Sequence, residues 1–205
     1  MRPAYAWAGL RRHGVRGSWP KRGLPYGGDS LNQRIRPQPP EKEPVMTDRH
    51  DEEAALATLL EQEREIQFSA FTHADAWTVG LHLVELASER LHPVAIAIML
   101  GDQRVFHAGL PGASADNDDW LERKFRVVRR FGHSSLAVGT DFRSRGANFD
   151  TDSRLDVAAF AAHGGAFPIR VNGMQVGVVG VSGLPQRDDH ALVIEALIAH
   201  RDRAS

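Results

Sequence analysis

The stretch over residues 163–191, HGGAFPIRVNGMQVGVVGVSGLPQRDDHA, carries the clearest structural signal in the chain. Residues 167–171 and 175–182 are short apolar runs rich in β-branched side chains, which is typical of strands. The dipeptide Asn172-Gly173 lies between them, and it tolerates positive φ at both central positions of a tight turn. The pattern therefore predicts an antiparallel hairpin.

The second strand of this hairpin contains two internal glycines, Gly177 and Gly180. Glycine weakens a strand, so its presence suggests that another group approaches the backbone closely. A packed helix is the simpler interpretation, and a bound ligand is the alternative.

The segments on either side of the hairpin also have patterns that predict their structure. Residues 187–200 have apolar residues at helical spacing, and Asp188 and Asp189 in the first turn suit the helix dipole. Before the hairpin, Gly164 and Gly165 lack Cβ atoms and could expose backbone N–H groups.

The composition is that of an ordinary globular protein. The 205 residues are 42% hydrophobic and 25% charged, both normal values. The absence of cysteine excludes disulfides, thiolate metal sites and thiol nucleophiles. No apolar run approaches the roughly 18 residues of a membrane span. We expect a soluble, cytoplasmic protein without a membrane partner.

The net charge of −1 conceals a strong asymmetry. Residues 1–45 carry a net charge of +6, so the remainder carries −7. The first segment is rich in Gly, Pro and Arg and has no periodicity, which predicts a disordered basic tail. The competing interpretation is an over-extended reading frame, because Met46-Thr47-Asp48 resembles a natural start. A nucleic-acid arm would suit the charge, but we expect no nucleic-acid partner. Residues 46–205 are expected to form the folded domain.

The rest of this domain alternates helical and strand patterns. Helices are predicted over 48–63, 73–91, 116–131 and 134–145, with one or two helical turns at 155–162; strands are predicted over 65–71, 94–100 and 104–110. In the second helix, Trp77, Leu81, Val84 and Leu86 or Ala87 are predicted to face the core. With the hairpin, these strands predict a mixed α/β (α+β) fold whose five strands are antiparallel and covered by helices.

Three runs resemble a known family. They are FTHADAWTVGLHLVELA (71–87), NDDWLERKFRVVRRFGHSS (117–135) and HGGAFPIRVNGMQVGVVGVSGLPQRDDHALVIEAL (163–197). Together they resemble the GlcG/HbpS-like superfamily of heme-degrading domain proteins, and the resemblance covers nearly all of residues 52–200. The helix with Trp120 and Lys124 and the sequence DDHA mark a subfamily. The resemblance implies a profilin-like domain with a five-stranded antiparallel sheet flanked by helices. It also implies homo-oligomers and, in some members, heme or iron binding.

Heme or iron binding requires a neutral imidazole in an apolar pocket. His163 is a candidate because the neighbouring diglycine could also donate to a propionate or another anion. His190 is a candidate because Asp188 or Asp189 could orient its ring. His107 lies on a predicted strand, and a structural or surface role is the alternative for all three histidines.

Charged and hydroxyl groups add weaker candidates. Lys124, with Arg123 and Arg126, could hold an anionic ligand, and a solvated helix face is the alternative. Ser182 does not lie in a nucleophile-elbow motif. No HExxH or comparable spacing occurs, so we expect no dedicated metal site.

These observations favour an oligomeric domain that binds a small ligand, with heme or another small anion as candidates. The expected ligand-binding residues are His163, Gly164, Gly165, Lys124, His190 and Asp189. A heme-degrading enzyme and a non-enzymatic protein-interaction or assembly module are the alternatives. The sequence leaves open whether any catalysis occurs.

Overall fold

The computed structural model describes residues 46–204, which form six helices and four strands. The helices are α1 (Met46–Glu65), α2 (His73–Glu89), α3 (Ala115–Phe131), α4 (Ser135–Ser144), α5 (Phe149–Asp152) and α6 (Gln186–Ala204); the strands are β1 (Ala95–Leu100), β2 (Gln103–Gly109), β3 (Ala166–Val171) and β4 (Met174–Ser182). The basic tail predicted over residues 1–45 lies outside the described residues.

The strands form one antiparallel sheet in the order β2-β1-β4-β3. The predicted hairpin at 167–182 is confirmed, because β3 pairs with β4 in register Phe167↔Val179. Asn172 and Gly173 have φ values of 50° and 82°, as the turn chemistry requires. The mixed α/β class with an antiparallel sheet flanked by helices is therefore confirmed.

The predicted fifth strand, residues 65–71, is wrong. Within the described chain, this segment makes one parallel bridge, between Phe68 and Val171. Ile66 and Phe68 are buried. The alternation of apolar residues that predicted a strand therefore reflects the burial of these two side chains. Phe68 also packs against Phe71 and His200, with ring centroids 5.1 and 5.7 Å away. Side chains, more than a hydrogen-bonded ladder, hold the segment in place.

Helices cover both faces of the sheet. In β1, Ile96 and Ile98 join the core beneath α2 and α6. Ala95, Ala97 and Met99, at the alternate positions, pack under α3. This strand is thus buried on both faces, as its nearly continuous apolar run predicts.

The core face predicted for α2 is correct at its C-terminal end, where Leu86 and Ala87 are buried, and wrong toward its start. Trp77 and Leu81 are 55% and 56% exposed, whereas Val79 and Leu83 are fully buried. Over this part of α2, the buried face is offset by about one residue from the predicted face, and it includes Gly80. A Cβ at Gly80 would lie 2.5 Å from the ring of Phe106. The close approach of helix and strand therefore selects a face of smaller side chains.

The one or two helical turns predicted at 155–162 are reduced to a single hydrogen-bonded turn, in which Ala159 N and Phe160 N both donate to Asp156 O at 2.9 Å. Side chains of α3 also hold this segment: Arg123 donates to Val157 O at 2.7 Å, and Arg126 donates to Ala159 O at 3.1 Å. Because these side chains satisfy the two carbonyls, the turn does not need to continue as a helix. The short helix α5 lies just before it.

Candidate functional site

A cleft of about 270 Å³ opens where the end of β4 meets α3 and the start of α6. Residues from all three elements and from the segment before β3 line it: Asp116, Asn117, Trp120, Lys124, His163, Ser182, Gly183, Leu184, Gln186 and Asp189. Three of the predicted ligand-binding residues, His163, Lys124 and Asp189, therefore line one cleft.

Lys124 and Asp189 form a buried ion pair in this cleft. Lys124 Nζ lies 2.8 Å from Asp189 Oδ2 and donates to Val181 O at 3.2 Å. Their side chains are only 4% and 2% exposed, so Lys124 does not belong to a solvated helix face. Gly165, with φ 119°, makes room for the pair, since a Cβ there would lie 2.7 Å from Lys124 Nζ.

The electrostatics of this pair are balanced. Burial lowers the pKa of Lys124 and raises the pKa of Asp189, and each charge opposes the shift of its partner. The second oxygen of Asp189 accepts from Leu184 N at 3.0 Å. Lys124 therefore contributes no uncompensated positive charge to the cleft.

His163 differs from this pair because its ring is uncommitted. Its ring packs edge-on against Trp120, with centroids 5.2 Å apart. Burial lowers the pKa of His163; Asp150 opposes this shift, and Lys124 and Arg123 reinforce it. The imidazole is therefore neutral at pH 7. Over residues 46–204, neither ring nitrogen has a hydrogen-bond partner, and the residue is only partly buried.

The diglycine beside His163 serves packing more than N–H presentation. Gly164 N donates to Gln186 Oε1 at 3.2 Å, and Gly165 O accepts from Val181 N at 2.8 Å. A Cβ at Gly164 would lie 2.1 Å from Gln186 O. These glycines let the chain pass close to the first turn of α6.

His190 and His107 do not line the cleft. His190 is buried on another side of α6, with Nε2 3.2 Å from Gln62 Oε1. Burial lowers its pKa to about 4. The neighbouring Asp189 is engaged with Lys124 and does not orient the His190 ring. His107 is exposed on β2, and its Nε2 lies 2.6 Å from Asp118 Oδ1.

Trp120, Ser182 and Gln186 are cleft residues that the sequence analysis did not assign to a site. Trp120 could have been found, because it lies one helical turn before Lys124 on the same side of α3. Ser182 and Gln186 depend on how β4 enters α6, for which the sequence carries no comparable spacing signal.

Two further findings concern the described part of the chain. Residues 46–204 contain no cluster of three or more His, Asp or Glu side chains placed to hold a metal ion. None of the helices in this range is long and apolar enough to cross a membrane.

Comparison with known proteins extends this description. The family model for "Haem degrading protein HbpS-like" matches residues 71–198. A UPF0303 protein of Streptomyces coelicolor is 56% identical over 143 residues, covering 69% of this chain and 90% of that protein.

Solved structures show the same fold. The crystal structure of Ybr137w protein superimposes with a TM-score of 0.67 at 30% identity, covering 73% of this chain and 88% of that one. The structure of a PduOC:Heme complex superimposes with a TM-score of 0.54 at 20% identity, covering 64% and 94%. The chain therefore belongs to the HbpS-like family.

Proposed function

We propose that this protein binds a small ligand in the cleft between α3, β4 and α6, and that His163 contacts it. The observation that carries this proposal is the state of His163: neutral, half-buried and without a hydrogen-bond partner among the described residues. Its ring nitrogens are open to the cleft, so a ligand that enters the cleft can bond them without breaking an existing hydrogen bond.

Heme is the first ligand to test. A neutral imidazole is a common axial ligand of heme iron. The family is described as haem degrading, and the related PduOC structure is a heme complex. The cleft of about 270 Å³ lies just below the roughly 300–1,000 Å³ typical of ligand pockets. One chain would therefore cover only part of a heme.

A different small anion is the second candidate ligand. Lys124 is neutralised by Asp189, so an anion would depend on uncommitted donors. Trp120 and Ser182 line the cleft, and their side-chain donors have no hydrogen-bond partner in the described range.

The same proposal includes self-association. Trp77 and Leu81 are exposed on α2, beside the edge strand β2. Exposed apolar side chains next to an open strand edge are typical of association surfaces. Light scattering after size exclusion should give a mass above one chain, and Trp77→Ser should lower it. A monomer in both proteins would contradict self-association.

Hemin titration tests the ligand. The wild-type protein should shift the Soret band, and His163→Ala should lose the shift. His107→Ala is the matched control, because His107 lies outside the cleft, and it should retain the wild-type spectrum. No shift at several-fold excess of hemin would contradict heme binding. Loss of the chromophore only after a reductant is added would instead indicate a heme-degrading enzyme.

An assembly module without a ligand would be favoured by a filled cleft and an internally bonded His163. The open cleft and the unpaired ring favour ligand binding over that alternative.

A further inference from the structure

Three side chains at the cleft contact one another in series, and we call them the Trp120 clamp: Arg123, Trp120 and His163. The guanidinium carbon of Arg123 lies 4.2 Å from the centroid of the Trp120 ring. The Trp120 ring contacts the His163 imidazole edge-on, with centroids 5.2 Å apart and planes at 81°. Trp120 and His163 line the cleft, and Arg123 lies behind them. The clamp therefore connects the imidazole to a residue that is not part of the cleft wall.

The orientation of the His163 ring has an unusual origin. Histidines that contact a metal or a ligand are usually oriented by a hydrogen bond to their second ring nitrogen. His163 makes no such bond over residues 46–204, and Asp150 acts on it through its charge alone. The edge-on contact with Trp120 is the one aromatic contact of this ring in the same range. Packing against Trp120 therefore takes the place of the hydrogen bond.

Arg123 holds Trp120 from the other side. The two residues are three positions apart on α3, which makes their side chains neighbours on the helix surface. A guanidinium close to an indole face is attracted to the ring electrons. Arg123 also donates to Val157 O at 2.7 Å, while its Nε is buried without a hydrogen-bond partner in the described range. Anchoring the segment at Val157 explains one N–H of Arg123, but it does not explain the position of the guanidinium over the indole.

We propose that Trp120 is a positioning residue for His163 and that Arg123 holds Trp120 in place. This inference rests on the proposed contact between His163 and the ligand. Trp120 acts by keeping the imidazole in one orientation, so its effect on the ligand passes through His163.

Histidine NMR titration of the full chain tests Trp120 without any ligand. Burial is the main cause of the lowered pKa of His163, so Trp120→Ala should raise this pKa toward its ordinary value of 6.5 as water reaches the ring. Trp120→Phe keeps a ring beside the imidazole and should leave the pKa close to that of the wild type. The signals of His163 are those that disappear in His163→Ala. Neither Trp120 variant removes the charged groups that also act on this pKa, which are Asp150, Lys124, Arg123 and Arg143.

Trp77→Ala is the matched control for this titration. Trp77 makes the same kind of edge-on contact outside the cleft, with the ring of Phe106 at 5.4 Å, so its loss should leave the pKa of His163 unchanged. If Trp120→Ala does not fold, Trp120→Leu keeps apolar bulk without a ring and serves the same test. A wild-type pKa of His163 in the folded variant without the ring would overturn the proposal.

Hemin titration separates positioning from direct contact. Trp120→Ala should bind hemin about two- to tenfold more weakly than the wild type. It should still reach the wild-type Soret position at saturation, because His163 is present, and Trp120→Phe should recover most of the affinity. Loss of the Soret shift at saturation in Trp120→Ala would contradict a positioning role, since Trp120 would then contact the ligand itself. If the wild type does not bind hemin, the heme proposal fails, while the NMR titration still decides the role of Trp120.

A double-mutant cycle tests whether Arg123 acts through Trp120. Arg123→Met should raise the pKa of His163 for two reasons: a positive charge is lost, and Trp120 is released. In the Trp120→Ala background only the loss of charge remains, so the same change should have a smaller effect. Arg126→Met is the matched control, because Arg126 bonds Ala159 O from the same helix and should have equal effects in both backgrounds. Equal effects of Arg123→Met in the two backgrounds would rule out its part in the clamp.

Discussion

Lys124 is the only lysine after residue 45, and it is buried against Asp189. Removing two charges from water is costly, and their attraction offsets that cost only when both partners are present. The fold therefore tolerates the two buried charges while both are present, but loss of either residue leaves an unpaired buried charge that destabilises it.

Removing one charge of the pair should therefore destabilise the protein more than removing both. Lys124→Met should lower the free energy of unfolding by about 3–5 kcal/mol, because Asp189 remains buried and unpaired. Adding Asp189→Asn should recover much of this loss, since Asn is neutral and can still accept from Leu184 N. Urea denaturation of both variants measures the difference. A double variant less stable than Lys124→Met alone would contradict the argument.

The candidate site was predictable in part at this scale. His163, Lys124 and Asp189 were expected to form one site, and they line one cleft. His190 was expected to join them and lies elsewhere. Adjacent residues on a helix point about 100° apart, so Asp189 and His190 cannot both face the cleft directly. Periodicity alone does not say which of two neighbours does.

In β4, Gly180 is needed because α3 packs closely against the strand. A Cβ at Gly180 would lie 2.4 Å from Phe125 Cε1, and Phe125 is fully buried. The packed-helix interpretation of this glycine is therefore confirmed, with α3 as the helix.

We expect Gly180→Ala to destabilise the protein by about 1–3 kcal/mol, because the buried ring cannot move away. Gly109→Ala is the control: it lies at the end of β2 with no atom within 4 Å of the added Cβ. That change should be neutral or stabilise by up to about 1 kcal/mol. Thermal and urea unfolding of the two variants compare them, and equal effects would contradict close packing of α3.

At the end of α2, in contrast, a leucine has a backbone conformation that favours glycine. Leu91 is 89% exposed and has φ 54°, just after the helix, where its N–H donates to Ser88 O. A leucine in the left-handed region is strained, and its exposed side chain gains little from packing.

Leu91→Gly should therefore stabilise the protein by about 1 kcal/mol. Leu81→Gly, also exposed but inside α2, should destabilise it by about 1 kcal/mol. Melting temperatures measure both changes. A loss of stability in Leu91→Gly would mean that the leucine makes contacts that outweigh its strain.

At the scale of the whole molecule, the burial of His190 makes the free energy of unfolding depend on pH. Its pKa is lowered from 6.5 to about 4 by burial, so the unfolded chain binds a proton that the folded chain excludes. Stability is full above about pH 6.5 and falls as the pH drops toward 4. The expected loss between about pH 7 and pH 4.5 is about 2 kcal/mol.

Urea unfolding across this range measures the loss. His163 also has a lowered pKa, so the informative quantity is the difference from a variant. His190→Leu removes this titration and should give a flatter profile, although the loss of the Gln62 bond lowers its stability at neutral pH. Parallel profiles for the two proteins would show that His190 is not the source.

Local chemistry determined much of this fold. Asn172-Gly173 specifies the turn of the β3–β4 hairpin, and the apolar spacing and end charges of α3 and α6 identify those helices. These features depend on near neighbours in the chain, which a sequence contains in full.

Only the tertiary structure decided the rest. The approach of Phe106 to Gly80 selected the buried face of α2, and side-chain packing around Phe68 left its segment outside the sheet. Packing of the elements brings together residues that are distant in sequence, such as Lys124 with Asp189 and Glu63 with His133. Such meetings depend on how whole elements pack, because a residue's burial and partners come from surfaces outside its own segment.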